Sequence, residues 1–256
     1  MRNVPLILDA HGHLGDWSRS AVLHGAAEDM LVSMDAAGIA ATALSSFQAL
    51  ETDFRAGNDM VAATVARYPN RFIGYATANP NYPDSLLPEL ERCFGELGMR
   101  GIKIHTDIHR YPFSGPNYQP VLQFAHENEL PVLIHGVGGY EDLSAASERY
   151  EQANLIIAHL GRWDGIKDEP LLDLVATRHN VYCDLAISVG DYRGFERLVA
   201  RVGAEKVIWG SDSPLHEPRA ELGRVWFSTC SDAEVSLVLG GNFLRLLKLD
   251  TWPPGG

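Results

Sequence analysis

Eight short apolar runs alternate along this chain with longer stretches of helical periodicity, and that alternation leaves few folds open. The runs lie near 5–11, 40–46, 72–77, 101–105, 131–135, 154–159, 180–185 and 206–211. Between them Ala26–Ala37, Asn58–Tyr68, Asp84–Leu97, Gln119–Glu129, Asp142–Ala153, Glu169–His179 and Tyr192–Val202 carry helical periodicity or composition, and Asp232–Leu247 closes the chain. Such a rhythm reads as parallel strands joined by crossover helices. Eight strand–helix units predict an α/β fold, a (β/α)8 TIM barrel, although a doubly wound sheet has the same alternation. At 256 residues the chain has the length at which such barrels form one domain, so a single domain over 1–256 with a C-terminal closing helix is expected.

Composition narrows the partner. The chain is 46% hydrophobic and 21% charged, which is average for a globular protein and argues against disorder. Its formal charge of −12 and its lack of a basic run disfavour a nucleic-acid backbone or an anionic membrane surface, leaving a small-molecule substrate as the expected partner. Cys93, Cys183 and Cys230 are isolated, odd in number and without a C-x-x-C, as in a reducing compartment. No leader-like start and no apolar run of membrane-spanning length is found, so a cytoplasmic location is expected.

Polar residues separate the barrel from the open sheet. His11 and His13, His105, His135, His159 and Asp212 all fall at or just past the C-terminal end of an expected strand, in five segments. Barrel active sites are built at those ends. Singly, each has an ordinary explanation: a polar residue closing an apolar strand, a snorkelling Lys103, or an Asp212 that caps a turn. Together, imidazoles and a carboxylate are the ligands that Zn²⁺ and similar ions take. Residues i and i+2 of a strand share a side, so His11 and His13 are expected to reach one ion. Asp9 is expected on the same face, either supporting a ligand or bonding within the barrel core.

His11-Gly12-His13, Gly101-Ile102-Lys103-Ile104-His105, Leu133-Ile134-His135, Ile157-Ala158-His159-Leu160-Gly161, Gly210-Ser211-Asp212-Ser213-Pro214 and the tail Gly241-Asn242-Phe243-Leu244-Arg245-Leu246-Leu247 resemble the amidohydrolase superfamily. More narrowly, they are similar to its amidohydrolase-related branch, which includes aminocarboxymuconate-semialdehyde decarboxylase and many metal-dependent hydrolases. The resemblance covers nearly the whole chain. It implies a (β/α)8 barrel in which His11, His13, His135 and Asp212 bind one divalent ion, Zn²⁺ foremost, and His159 is catalytic. Relatives of this branch are often dimers, so a homodimer is implied too.

Some members of the superfamily carry a carboxylated lysine on strand four that bridges two metals. Lys103 occupies that position, so Lys103 and His105 are expected either to bridge ions or to meet substrate, with one ion favoured. An ion of this kind lowers the pKa of bound water to about 7. Asp212 would take the water's proton and His159 would orient the water or stabilise developing charge. The chain is short beside the decarboxylases of the branch, which favours a compact hydrolase of a small amide, ester or lactone. The alternatives are a metal-dependent non-oxidative decarboxylase of a small carboxylic acid, a metal-independent lactonase, and a non-catalytic binding protein on the same barrel. Trp17, Arg55, Arg110 and Arg162 are candidate substrate-binding residues on the loops over the site. Gly136-Val137-Gly138-Gly139 matches no phosphate-binding signature and reads as a tight loop.

Overall fold

The computed structural model of the protein describes residues 6–19, 25–161, 168–188 and 191–254. Eight parallel strands follow one another in chain order: β1 (Leu8–Leu14), β2 (Ala41–Ser46), β3 (Phe72–Thr77), β4 (Gly101–His105), β5 (Pro131–His135), β6 (Asn154–Ile157), β7 (Val181–Asp184) and β8 (Val207–Ile208). The sheet closes through backbone bonds rather than a regular ladder. Ala10 N donates to Trp209 O at 3.1 Å, Asp212 N to His11 O at 2.8 Å, and His13 N to Ser213 O at 2.7 Å. This is the expected TIM barrel, and the doubly wound alternative falls away.

Period-two alternation sorts the strand residues into two cores. Leu8, Ala41, Ile73, Tyr75, Leu133, Ile156, Tyr182 and Ile208 pack inside the barrel. Leu44, Phe72, Ile102, Ile104, Val132, Ile134, Leu155, Val181, Cys183 and Trp209 face the helical shell. Polar side chains at the C-terminal end of the interior therefore sit above an apolar plug. No helix among the described residues is long and apolar enough to cross a membrane.

Several expected boundaries move. β1 runs to Leu14, so both histidines lie within the strand, and β6 stops at Ile157. Ahead of the helix expected from Asn58, the chain is already helical over Phe47–Glu51 and from Phe54. Ser46 and Asp53 start these two helices by accepting backbone N–H groups. A helix at Pro218–Trp226, capped by Glu217, was not anticipated. The closing helix is divided into Asp232–Ser236 and Asn242–Leu246 by a wider turn over Leu237–Gly241.

Candidate active site

The first ligand strand is not regular. Between Asp9 and Gly12 its register against β2 shifts, so two residues of β1 oppose one of β2. A bulge of this kind resets the alternation. Ala10 belongs to the interior core, and His11 and His13 beyond it also turn inward, where their rings contact other strand-end groups. Asp9 does not share their face, contrary to the expectation from i, i+2 spacing. Its carboxylate instead meets Ser211 and Thr42 between neighbouring strands.

Three donor atoms converge inside. The Nε2 atoms of His11 and His13 are 3.2 Å apart, and Asp212 Oδ1 lies 3.4 Å from the first and 3.1 Å from the second. His11 donates from Nδ1 to Asp184 Oδ2 at 2.7 Å, which leaves the Nε2 lone pair facing the group. His13 Nδ1 is held by Ser45 Oγ at 3.0 Å, and Phe47 stacks on its ring. Neutral imidazoles whose Nε2 atoms face a carboxylate are a donor set for a divalent cation. Asp184 was overlooked in the sequence, although it closes Val181–Asp184 on a carboxylate just as β4 and β5 close on histidine. Gly210 makes the approach possible: a Cβ there would stand 2.8 Å from the Cβ of His11.

His159 reaches the site through an unusual backbone. Ala158 points into the barrel, so an extended chain would turn His159 outward; instead His159 and Leu160 adopt φ values of +56° and +52°. Such values are uncommon for side-chain-bearing residues and need outside support. His159 N donates to Asp184 Oδ1 at 2.7 Å, and its Nδ1 donates to the carbonyl of Ala186 at 2.9 Å. His159 Nε2 is thereby left to face His135 Nδ1 at 3.1 Å. One ligand atom each from His11, His159 and Asp212 lie within 4.8 Å of one another. Among the described residues this is the grouping with metal-site spacing, and His135 adjoins it through His159. His105 stacks on His135 with ring centroids 3.9 Å apart.

Burial sets the charges. It lowers the proton affinity of His11, His13 and His159, and brings His135 down to about 3. His105 moves the same way for the same cause. Burial works against ionisation of Asp212, yet its hydrogen bond with His13 holds the carboxyl below its ordinary range. Lys103 is fully buried, with Nζ 2.8 Å from His11 Nε2, and its pKa is lowered by burial against the pull of Asp212 and Asp184. Burial raises Asp184, and it raises Asp9 to about 7. The interior is thus one of neutral imidazoles around an ionised Asp212, suited to a cation.

The loop candidates are spread out. Trp17 stacks on Phe47, extending a row of rings outward from His13. Arg55 is exposed and lies 3.7 Å from Glu89, away from the cluster. Arg110 lines a cavity of about 780 Å³ with Asp107, Gly136, Val137 and Tyr140, beside the cluster rather than around it. Asp107 joins the two, with Oδ2 3.5 Å from His135 Nε2. Arg162, with Trp163 and Asp164, lies outside the described residues.

With this geometry in place, the chain can be set beside known proteins. It is 26% identical over 306 aligned positions to a gamma-resorcylate decarboxylase of Rhizobium sp. MTP-10005, covering 95% of this chain and 86% of that one. It is 42% identical over 97 residues to a gamma-resorcylate decarboxylase of Polaromonas sp. JS666, covering 38% of this chain and 29% of that protein. In the shorter matches the chain spans between 22% and 36% of the length of the curated relatives. The fold is shared with the structure of a dihydroxybenzoic acid decarboxylase from Polaromonas sp. JS666 with bound manganese and 2-nitroresorcinol. That likeness has a TM-score of 0.77 at 18% identity and covers 96% of this chain and 98% of that one.

These relatives correct the expectation of a hydrolase. That expectation rested on the shortness of the chain, yet an alignment of 306 positions onto 256 residues shows a decarboxylase whose extra segments fall outside a shared framework. Chain length therefore carries no information about the reaction. The amidohydrolase family profile matches residues 8–249, and the chain belongs to the amidohydrolase family.

Proposed function

We propose that the protein is a metal-dependent, non-oxidative decarboxylase of a small hydroxylated aromatic carboxylic acid. The supporting observation is the likeness to a gamma-resorcylate decarboxylase over 95% of the chain, in a barrel whose strand ends carry a cation-binding donor set. His11, His13 and Asp212 would hold one divalent ion, with His135 completing the set. Manganese is the first ion to test, because a structure of the same fold contains it, and nothing favours zinc over it. When bound, the ion would supply positive charge to fix the substrate's carboxylate and a neighbouring hydroxyl oxygen.

The reaction breaks the bond between the ring carbon and the carboxylate; its electron pair stays on the ring, CO₂ leaves, and a proton takes its place. Asp212, ionised at rest, would take a proton from solvent and deliver it to that carbon, with His159 as the second carrier. His159 is locked with Nδ1–H on the Ala186 carbonyl, so only Nε2 can gain or lose one. His159 and Asp212 are 8% and 4% exposed, which keeps competing water from the carbon being protonated. The cavity beside Asp107 would receive the ring's far edge, with Arg110 at its rim.

The test is a panel of mono- and dihydroxybenzoates incubated with Mn²⁺-loaded protein, with CO₂ and the decarboxylated phenol measured. Release from ortho-hydroxylated members that stops with chelator supports the reading. No release from any member contradicts it.

A further inference from the structure

Asp9 is a buried carboxylate that the proposed chemistry does not use, and it stands at the one seam where the barrel closes without a regular ladder. Along that seam β1 and the segment after β8 are joined by an isolated bridge between Gly12 and Ser213. The bulge in β1 leaves backbone N–H groups of both strands without ladder partners, and a buried N–H without an acceptor is costly. Asp9 Oδ1 accepts two of them, from His11 at 3.1 Å and from Ser211 at 2.9 Å. Its other oxygen accepts the Ser211 hydroxyl at 2.6 Å, and the Ser211 Oγ in turn accepts Ser213 N–H at 3.0 Å. Ser213 then returns to β1, its carbonyl accepting His13 N–H at 2.7 Å.

Asp212 lies between Ser211 and Ser213 with φ at +59°, a left-handed conformation that costs free energy unless both flanks are fixed. A single carboxylate thus touches, directly or through Ser211 and Ser213, both segments that carry His11, His13 and Asp212. We infer that Asp9 is a positioning residue that acts through Ser211 to set the spacing of His11, His13 and Asp212 from outside the barrel. This assignment rests on the reading that those three residues hold a divalent ion. It does not depend on which reaction the ion serves.

Chelator competition with Mn²⁺ and the visible absorption of the Co²⁺-loaded protein test it on wild type, Asp9→Ala, Asp9→Asn and Ser211→Ala. Supports behind metal ligands are worth about 10- to 100-fold in affinity, so Asp9→Ala should weaken Mn²⁺ binding by that range and alter the Co²⁺ bands. Asp9→Asn keeps an acceptor for both N–H groups and should restore most of the affinity and the wild-type spectrum. Ser211→Ala, which breaks only the link to Ser213, should fall between them, and it carries the test if Asp9→Ala does not fold. Wild-type affinity and spectrum in Ser211→Ala and in a folded Asp9→Ala, even with a lowered melting temperature, would overturn the assignment alone. A wild-type protein that binds neither ion would overturn the metal reading and the assignment with it.

Discussion

Asp184 Oδ2 lies 2.7 Å from His11 Nδ1, while its Oδ1 accepts the backbone N–H of His159 at the same distance. One carboxylate on β7 therefore fixes the tautomer of a proposed ligand and the strained turn that brings the proposed proton-handling histidine inward. Asp184→Asn keeps the size but places an amide against at least one of these donors. The expected outcome is a loss of about 10- to 100-fold in Mn²⁺ affinity or in kcat/KM, read by chelator competition and steady-state kinetics. Unchanged values would mean that the ring of His11 needs no such partner.

Lys103 is the residue on which the ion count of the proposed centre turns. Its Nζ lies 2.8 Å from His11 Nε2, within the cluster, where a bridge between two ions would have to stand. After dialysis against metal-free buffer, the reloaded protein should hold about one divalent ion per chain, and Lys103→Ala should not lower that count. Two ions per chain, reduced to one in Lys103→Ala, would replace the one-ion account with a bridged pair.

His109 gives the chain an acid-sensitive core outside the proposed metal centre. It is 4% exposed, its Nδ1 stands 2.8 Å from the Tyr118 hydroxyl, and burial brings its pKa down to about 4. The folded value is below the unfolded value of about 6.5, so between these the unfolded chain binds more protons and stability rises with pH. Stability is therefore lost as pH falls from 6.5 toward 4. Between pH 7 and pH 5 the His109 share is about 2 kcal/mol. Urea titrations should show that His109→Asn loses less stability over this interval than wild type, by about that amount. An identical loss would contradict the assignment.

Much of this was legible in the sequence because it follows from period and composition. β3, β4 and β5 have the expected boundaries, and the interior places of Lys103, His105 and His135 follow from alternation along strands whose other face is apolar. What escaped depends on departures from that alternation. The bulge in β1 turned Asp9 away from His11, and left-handed residues at His159 and Asp212 returned side chains that simple spacing sends elsewhere. Asp184 went unnoticed for another reason: its partners, His11 and His159, are 173 and 25 residues away, and only barrel closure brings them together. The reaction is not legible in chain length, since the decarboxylase framework is shared by a longer relative.

The central claim is that CO₂ leaves and a proton replaces it at the same ring carbon. Its most direct test is 2,6-dihydroxybenzoate incubated in D₂O with Mn²⁺-loaded protein and followed by NMR. The account predicts resorcinol carrying one deuterium at the carbon that lost CO₂, formed by wild type, abolished by chelator, and reduced by at least about 100-fold in Asp212→Asn. Resorcinol formed equally well without metal or by Asp212→Asn, or no turnover of this or any other ortho-hydroxylated benzoate, would contradict it.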